Sequence, residues 1–178
     1  MNASLVDPDD AFLRSSYVAN ILEHALIGEL LQEFWSRGIR DVELLRADID
    51  AWGYDLVLLR ADVARYVQLK SRKLGGKTRQ FPVNGKLDDR PGGCVIVVDY
   101  DSDTLKMGPF WWHECNGIRN LKPAKRTRPN RDAQKLDRND SYSLPINRFV
   151  QATDISALSQ LLLPETSVTP VPTQRNGR

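Results

Sequence analysis

Asp55, Gln68 and Lys70 bring a carboxylate, an amide and an amine onto two neighbouring apolar segments, Gly53 to Leu59 and Arg65 to Ser71. This set suits metal-assisted cleavage of a phosphodiester. That reaction needs a divalent cation held by hard oxygens, neutralisation of charge on the phosphoryl oxygens, and an activated water. Asp55 is a ligand of the kind Mg²⁺ takes, with the Leu69 carbonyl and waters to add to it. Lys70 would stand as a point charge near the attacking water or the phosphate. Gln68 offers the metal a neutral oxygen or hydrogen-bonds a ligand water. One carboxylate is too few for a strong Mg²⁺ site, so a second acid is expected from elsewhere.

Whether these groups meet depends on strand register. Residues two apart share a face, so Gln68 and Lys70 point the same way. A two-residue turn at Ala61-Asp62 sets Asp55 against Gln68, and a four-residue turn at 61–64 sets it against Lys70. Both keep the three on one face, whereas an odd loop with a bulge separates carboxylate from amine. Ala-Asp is not a favoured hairpin turn, so composition leaves the loop open. The even register is supported by the opposite face, where Leu56, Leu58, Val67 and Leu69 would form a continuous apolar patch.

The second acid is expected from an upstream helix. Ser15 or Ser16 as N-cap, the recurrence of Ile21, Leu22, Leu26, Leu30 and Phe34, and Gly38 as the stop predict a helix over 17–36. Glu29 borders the apolar stripe, where a carboxylate is costly to bury unless paired or close to metal. Glu23 and Glu33 compete with it, Glu23 being favoured near the helix start by the macrodipole in any case. Asp48 and Asp50 rival Asp55 for the metal and are read as turn residues ahead of the strand.

The helix with Ile27-Gly28-Glu29, then Gly53-Tyr54-Asp55-Leu56, then Val67-Gln68-Leu69-Lys70-Ser71, resembles the PD-(D/E)XK, or restriction-endonuclease-like, nuclease superfamily, in the form written QXK. The resemblance spans roughly residues 20 to 115 and lacks the PD dipeptide, Tyr54 preceding Asp55. It implies an α/β fold with an αβββαβ core, a central mixed sheet flanked by helices. It also implies a Mg²⁺- or Mn²⁺-dependent endodeoxyribonuclease acting in restriction, repair, recombination or mobile-element defence. Glu29 would match the helix acid, Asp55 the metal-binding aspartate, Gln68 the variable position and Lys70 the catalytic lysine. Asp55, Glu29 and Gln68 would hold the metal. A catalytically silent nucleic-acid- or protein-binding module on the same fold is the alternative.

Charge distribution points to the same partner. Net charge is +2, yet 122–138 holds seven Lys/Arg and two Asp, and 70–79 holds five Lys/Arg and no acid. Such segments suit a surface that tracks phosphates. Arg72, Lys73, Lys77, Lys125, Arg126, Arg128 and Arg131 are the expected nucleic-acid contacts, although Pro123, Pro129 and Asn130 also mark 122–138 as an irregular loop. Trp111 and Trp112 could stack bases, but such aromatics more often pack a sheet.

The other elements fit a single nuclease-like domain over 1–164 and a flexible tail over 165–178. A loop runs through 72–90 with an extended piece near Phe81. Cys94 to Tyr100 reads as a strand buried on both faces, Met107 to Cys115 as the next strand, and Asp154 as the cap of a helix through Leu163. Two cysteines are too few for a disulfide framework, no apolar run approaches the ~20 residues of a membrane span, and no signal peptide appears, so a reducing cytoplasm is the expected setting, with a homodimer allowed. Leu74-Gly75-Gly76-Lys77-Thr78 lacks the first glycine and following helix of a P-loop. Cys94, His113, Glu114 and Cys115 lack zinc spacing.

Overall fold

Pro8 and the acids Asp9 and Asp10 suit the first turn of a helix, where a missing N–H costs nothing and negative charge meets the dipole. In the computed structural model, which describes residues 8–47, 52–124 and 140–164, the first helix α1 accordingly runs Pro8–Ser36. It starts earlier than Ser15 and Ser16 predict, because the Pro-Asp-Asp signal precedes them. Leu22, Leu26, Leu30 and Phe34 bury its inner face. The stop is the expected one. Gly38, at φ +76°, lets the Ile39 N–H reach the Phe34 carbonyl (2.9 Å) and its own N–H reach that of Trp35 (3.1 Å), a Schellman closure.

Strands β1 (Glu43–Arg46), β2 (Leu56–Arg60) and β3 (Val63–Lys73) follow as an antiparallel meander. The β2–β3 turn is the two-residue one, with Arg60 opposite Val63 and Ala61 at φ +49°. The even register therefore holds. Leu56, Leu58 and Val67 share the face buried against α1, with Leu69 packed against it.

Next come β4 (Gln80–Asn84), β5 (Gly93–Tyr100) and β6 (Met107–Glu114), then β7 (Ser141–Pro145), β8 (Val150–Ala152) and the second helix α2 (Ile155–Leu162). The main sheet has the order β1-β2-β3-β5-β6-β8 and is mixed, since β3 and β5 pair in parallel and the other pairs are antiparallel. Central β5 is buried along nearly its whole length, as its unbroken apolar run requires. The Asp154 carboxylate accepts the Ala157 N–H at 2.8 Å and caps α2.

Three layers result. Both helices pack on one face of the sheet, through Leu26, Leu30, Ile96, Val98, Leu158 and Leu162 among others. The opposite face is covered by a two-stranded sheet of β4 and β7, with Phe81, Val83, Leu87 and Leu144 packed on Val95 and Val97. The chain is thus an α/β domain with a six-stranded mixed sheet flanked by two helices. It departs from αβββαβ at the β3-to-β5 crossover, where β4 and a 3₁₀ turn at Gly85–Asp89 stand in place of a helix. Gly75, Gly76, Pro82, Gly85 and Pro91 make that stretch a poor helix former.

Candidate active site

The two-residue turn brings Asp55 to the end of β2 beside Val67, but the predicted sharing of one face with Gln68 is not kept: Asp55 lines a cavity on the helix side, whereas Gln68 turns to the β4 layer. The Asp55 N–H donates to the Val67 carbonyl (2.8 Å), its carbonyl accepts the Ala47 N–H (2.9 Å), and its Oδ2 accepts the Leu69 N–H (2.6 Å). The carboxylate thus takes the place of the next ladder acceptor where β2 stops and β3 runs on. At this divergence lies a cavity of about 280 Å³ lined by Asn20 and Glu23 of α1, Asp55, and Leu69, Lys70 and Ser71 of β3.

Glu23, rather than Glu29, is the helix acid at the cavity. Glu29 is exposed, is not part of the lining, and has its carboxyl raised by partial desolvation. The six-residue offset turns it about 120° around the helix from Glu23. Glu33 does not line the cavity either. Glu23 Oε1 accepts Arg46 Nε at 2.5 Å, and Arg46 Nη1 lies 3.2 Å from His24 Nε2. Because His24 Nδ1 sits 2.7 Å from the Asn20 carbonyl, Nδ1 carries the proton and Nε2 accepts from Arg46. The strand β1 that supplies Arg46 went unread in the sequence. Glu43-Leu44-Leu45-Arg46 is four residues long with Leu44 alone partly covered, so it has no clear period.

Gln68 is 5% exposed and turns toward the β4 layer. Its Oε1 accepts the Asn84 N–H at 3.1 Å, while Asn84 Oδ1 accepts the Lys86 N–H at 3.0 Å. It does not line the cavity. Asn84 also abuts Gly53, which sits at φ +81° with the place of a Cβ only 2.3 Å from Asn84 Cβ. Gly53→Ala should therefore destabilise the fold by about 1–3 kcal/mol, read as a lower urea midpoint at unchanged slope.

No protein-family model matches the chain, and no curated protein matches it.

The expected nucleic-acid contacts divide three ways. Lys73 and Lys77 are exposed near the end of β3. Lys125, Arg126, Arg128 and Arg131 lie outside the described residues, as do Asp48 and Asp50. Arg72 is corrected to a structural role. It is 7% exposed, and its Nε and Nη2 each meet an Asp99 oxygen at 2.6 Å while Nη1 donates to the Thr78 carbonyl at 3.0 Å. The hydrogen bonds to Asp99 raise its pKa further. Trp111 Nε1 donates to the same Asp99 at 2.9 Å, and Trp112 packs on the helix-side core, so both tryptophans serve the sheet.

Among the described residues no group of three or more His, Cys, Asp or Glu is arranged to hold a metal. Cys94 is buried, and desolvation pushes its thiol up to about 12; burial raises Cys115 as well. His113 Nδ1 lies 2.9 Å from the Arg148 carbonyl, and its ring packs on Phe149. Burial holds its pKa below the ordinary 6.5, against the raising effect of that hydrogen bond. The unfolded chain then takes up its proton first. The contribution of neutral His113 to stability is whole above about pH 6.5 and lost as pH falls below it. Acidification should accordingly lower the urea midpoint of the wild type more than that of His113→Gln.

Proposed function

We propose that this chain is a metal-dependent nuclease of the PD-(D/E)XK type that hydrolyses phosphodiester bonds, DNA being the first substrate to try. The observation that carries this reading is the single cavity that gathers Glu23, Asp55 and Lys70, with the Leu69 peptide N–H held on the aspartate. Its donor set fits Mg²⁺ or Mn²⁺, because two hard carboxylates and the strand backbone border one small space. Asp55 and Glu23 would hold the ion. When bound, a divalent cation lowers the pKa of water and neutralises phosphoryl charge.

The residues of the chain supply the rest. The Leu69 N–H orients the Asp55 carboxylate. Lys70 places a positive charge at the cavity for the phosphate or the attacking water. Gln68, clamped by Asn84, holds the strand in register beneath them. Arg46 keeps Glu23 turned to the cavity until an ion competes for its oxygens. Lys73 and Lys77 would steer the phosphate backbone.

A second reading has its own support. Gln68 stands where a carboxylate is usual in this superfamily, and both it and Glu23 already have protein partners. These features favour a silent binding module on the same fold. Supercoiled plasmid, linear duplex, branched DNA and RNA, each incubated with Mg²⁺, Mn²⁺ or EDTA, separate the two. The nuclease reading expects cutting that EDTA stops and that is lost in Lys70→Met. Tight binding without cutting of any substrate would replace it with the module.

A further inference from the structure

Trp52 lies three residues before Asp55, and 47% of its surface is open. Single exposed apolar side chains are ordinary. The surroundings of this one are not. The Arg90 guanidinium carbon sits 4.4 Å from the centroid of the indole, and Lys86 Nζ sits 5.5 Å from it. Arg90 also lies 5.5 Å from the Tyr66 ring, which packs on Tyr54 at 5.3 Å. The buried Arg90 Nε makes no hydrogen bond, so ring stacking places the guanidinium at that end. The indole is therefore backed by a cation and a layer of aromatics, which restricts its rotamers while leaving nearly half its surface accessible.

The platform is tied to the proposed site by the backbone. Gly53 fits closely against Asn84, Asn84 holds Gln68, and Gln68 follows Val67, whose carbonyl accepts the Asp55 N–H. Three residues of chain limit the separation of Trp52 and Asp55 to roughly 10 Å. An aromatic face within that reach of a phosphate site, with cations at its side, has the features of single-strand recognition. Bases stack on it irrespective of sequence, and the cations attract the backbone.

We infer that Trp52 is a stacking platform for an unpaired or extruded nucleobase next to the phosphate held at Asp55 and Lys70. Its location beside the scissile bond rests on the nuclease reading. A base inside a duplex already has stacking partners on both faces, so the platform selects strands with free nucleotides, such as ends, loops and bulges. Trp111 and Trp112 are engaged in the sheet and do not compete for this role.

The test is binding in EDTA, read by fluorescence anisotropy of a labelled short oligothymidylate, the same strand bearing abasic sites, and a blunt duplex. Trp52→Ala should weaken oligothymidylate binding about tenfold, and Trp52→Phe should restore most of it. The abasic strand and the duplex should bind both variants and wild type alike to within about twofold. Equal binding of oligothymidylate by wild type and a folded Trp52→Ala overturns the platform. So does a loss that is the same for the abasic strand, or no binding of any strand, results that would fit a protein contact at Trp52. Circular dichroism and thermal midpoints establish that the variants are folded. Cleavage is scored separately in Mg²⁺ with Asp55→Asn: if that variant cuts like wild type, the catalytic reading fails while the binding result stands.

Discussion

Asp55→Asn should reduce Mg²⁺-dependent cleavage by at least about a hundredfold while leaving the domain folded. The substitution keeps the shape and an oxygen to accept the Leu69 N–H, now at 2.6 Å, but removes the negative charge that an ion requires. Loss of one charged ligand acts on ion affinity and on the developing phosphoryl charge together, and each alone is commonly worth one to three orders of magnitude, about 10–10³-fold. Excess Mn²⁺ should restore part of the rate if affinity is the main loss. Glu23→Gln should behave similarly but more mildly, and it also releases Arg46 from its 2.5 Å pairing. Glu29→Gln, on the exposed flank of α1, should cut like wild type. Initial rates on plasmid across a metal titration check all three. A fully active Asp55→Asn would show that the aspartate serves only to end the strand.

Asp99→Ala should cost about 3–5 kcal/mol of stability, the largest single loss expected outside the apolar core. Arg72 and Asp99 are nearly inaccessible, with side-chain exposures of 6% and 4%, and form a two-pronged pair closed by Trp111 and the Thr78 carbonyl. Removing the acid strands a guanidinium that cannot shed its proton. Replacing both by apolar residues of similar size, Arg72→Met with Asp99→Leu, should recover most of the loss, because no buried charge is then left alone. Urea unfolding of the two single variants and the double variant gives the coupling directly. If Asp99→Ala unfolds like wild type, water reaches this pair.

The sequence carried the site in parts. The hairpin was readable because Leu56, Leu58, Val67 and Leu69 demand one apolar face, which excludes odd loops even though Ala61 must adopt φ +49°. Cys94 to Tyr100 and the Asp154 cap were equally legible, since each is set by local composition. What escaped was decided by distant partners. Glu23 and Glu29 both border the stripe of α1, and only the three-dimensional packing of β1 and β3 against the helix selects Glu23. Arg72 reads as one more cation in a basic run, because its partner Asp99 is 27 residues on. Strands β7 and β8 are short and interrupted by Pro145 and the 3₁₀ turn at Ile146–Arg148, so neither leaves a periodic trace. The long crossover looked like a loop because its strand β4 holds Pro82 and, among the described residues, pairs with β7 alone.

That last pairing sets an order of assembly. Everything bordering the cavity comes from the chain up to Val98, so the helix, the meander and central β5 can associate while the polypeptide is still emerging from the ribosome. Phe81, Val83 and Leu87 pack early on Val95 and Val97, but the rest of their cover, Leu144 and Phe149, belongs to the final fifth of the polypeptide. Closing contacts so far apart along the chain is slow, and uncovered apolar surface sticks to other chains meanwhile. A nascent product halted near residue 140 would therefore hold the cavity lining while apolar side chains on both sides of its sheet still await β7, β8 and α2.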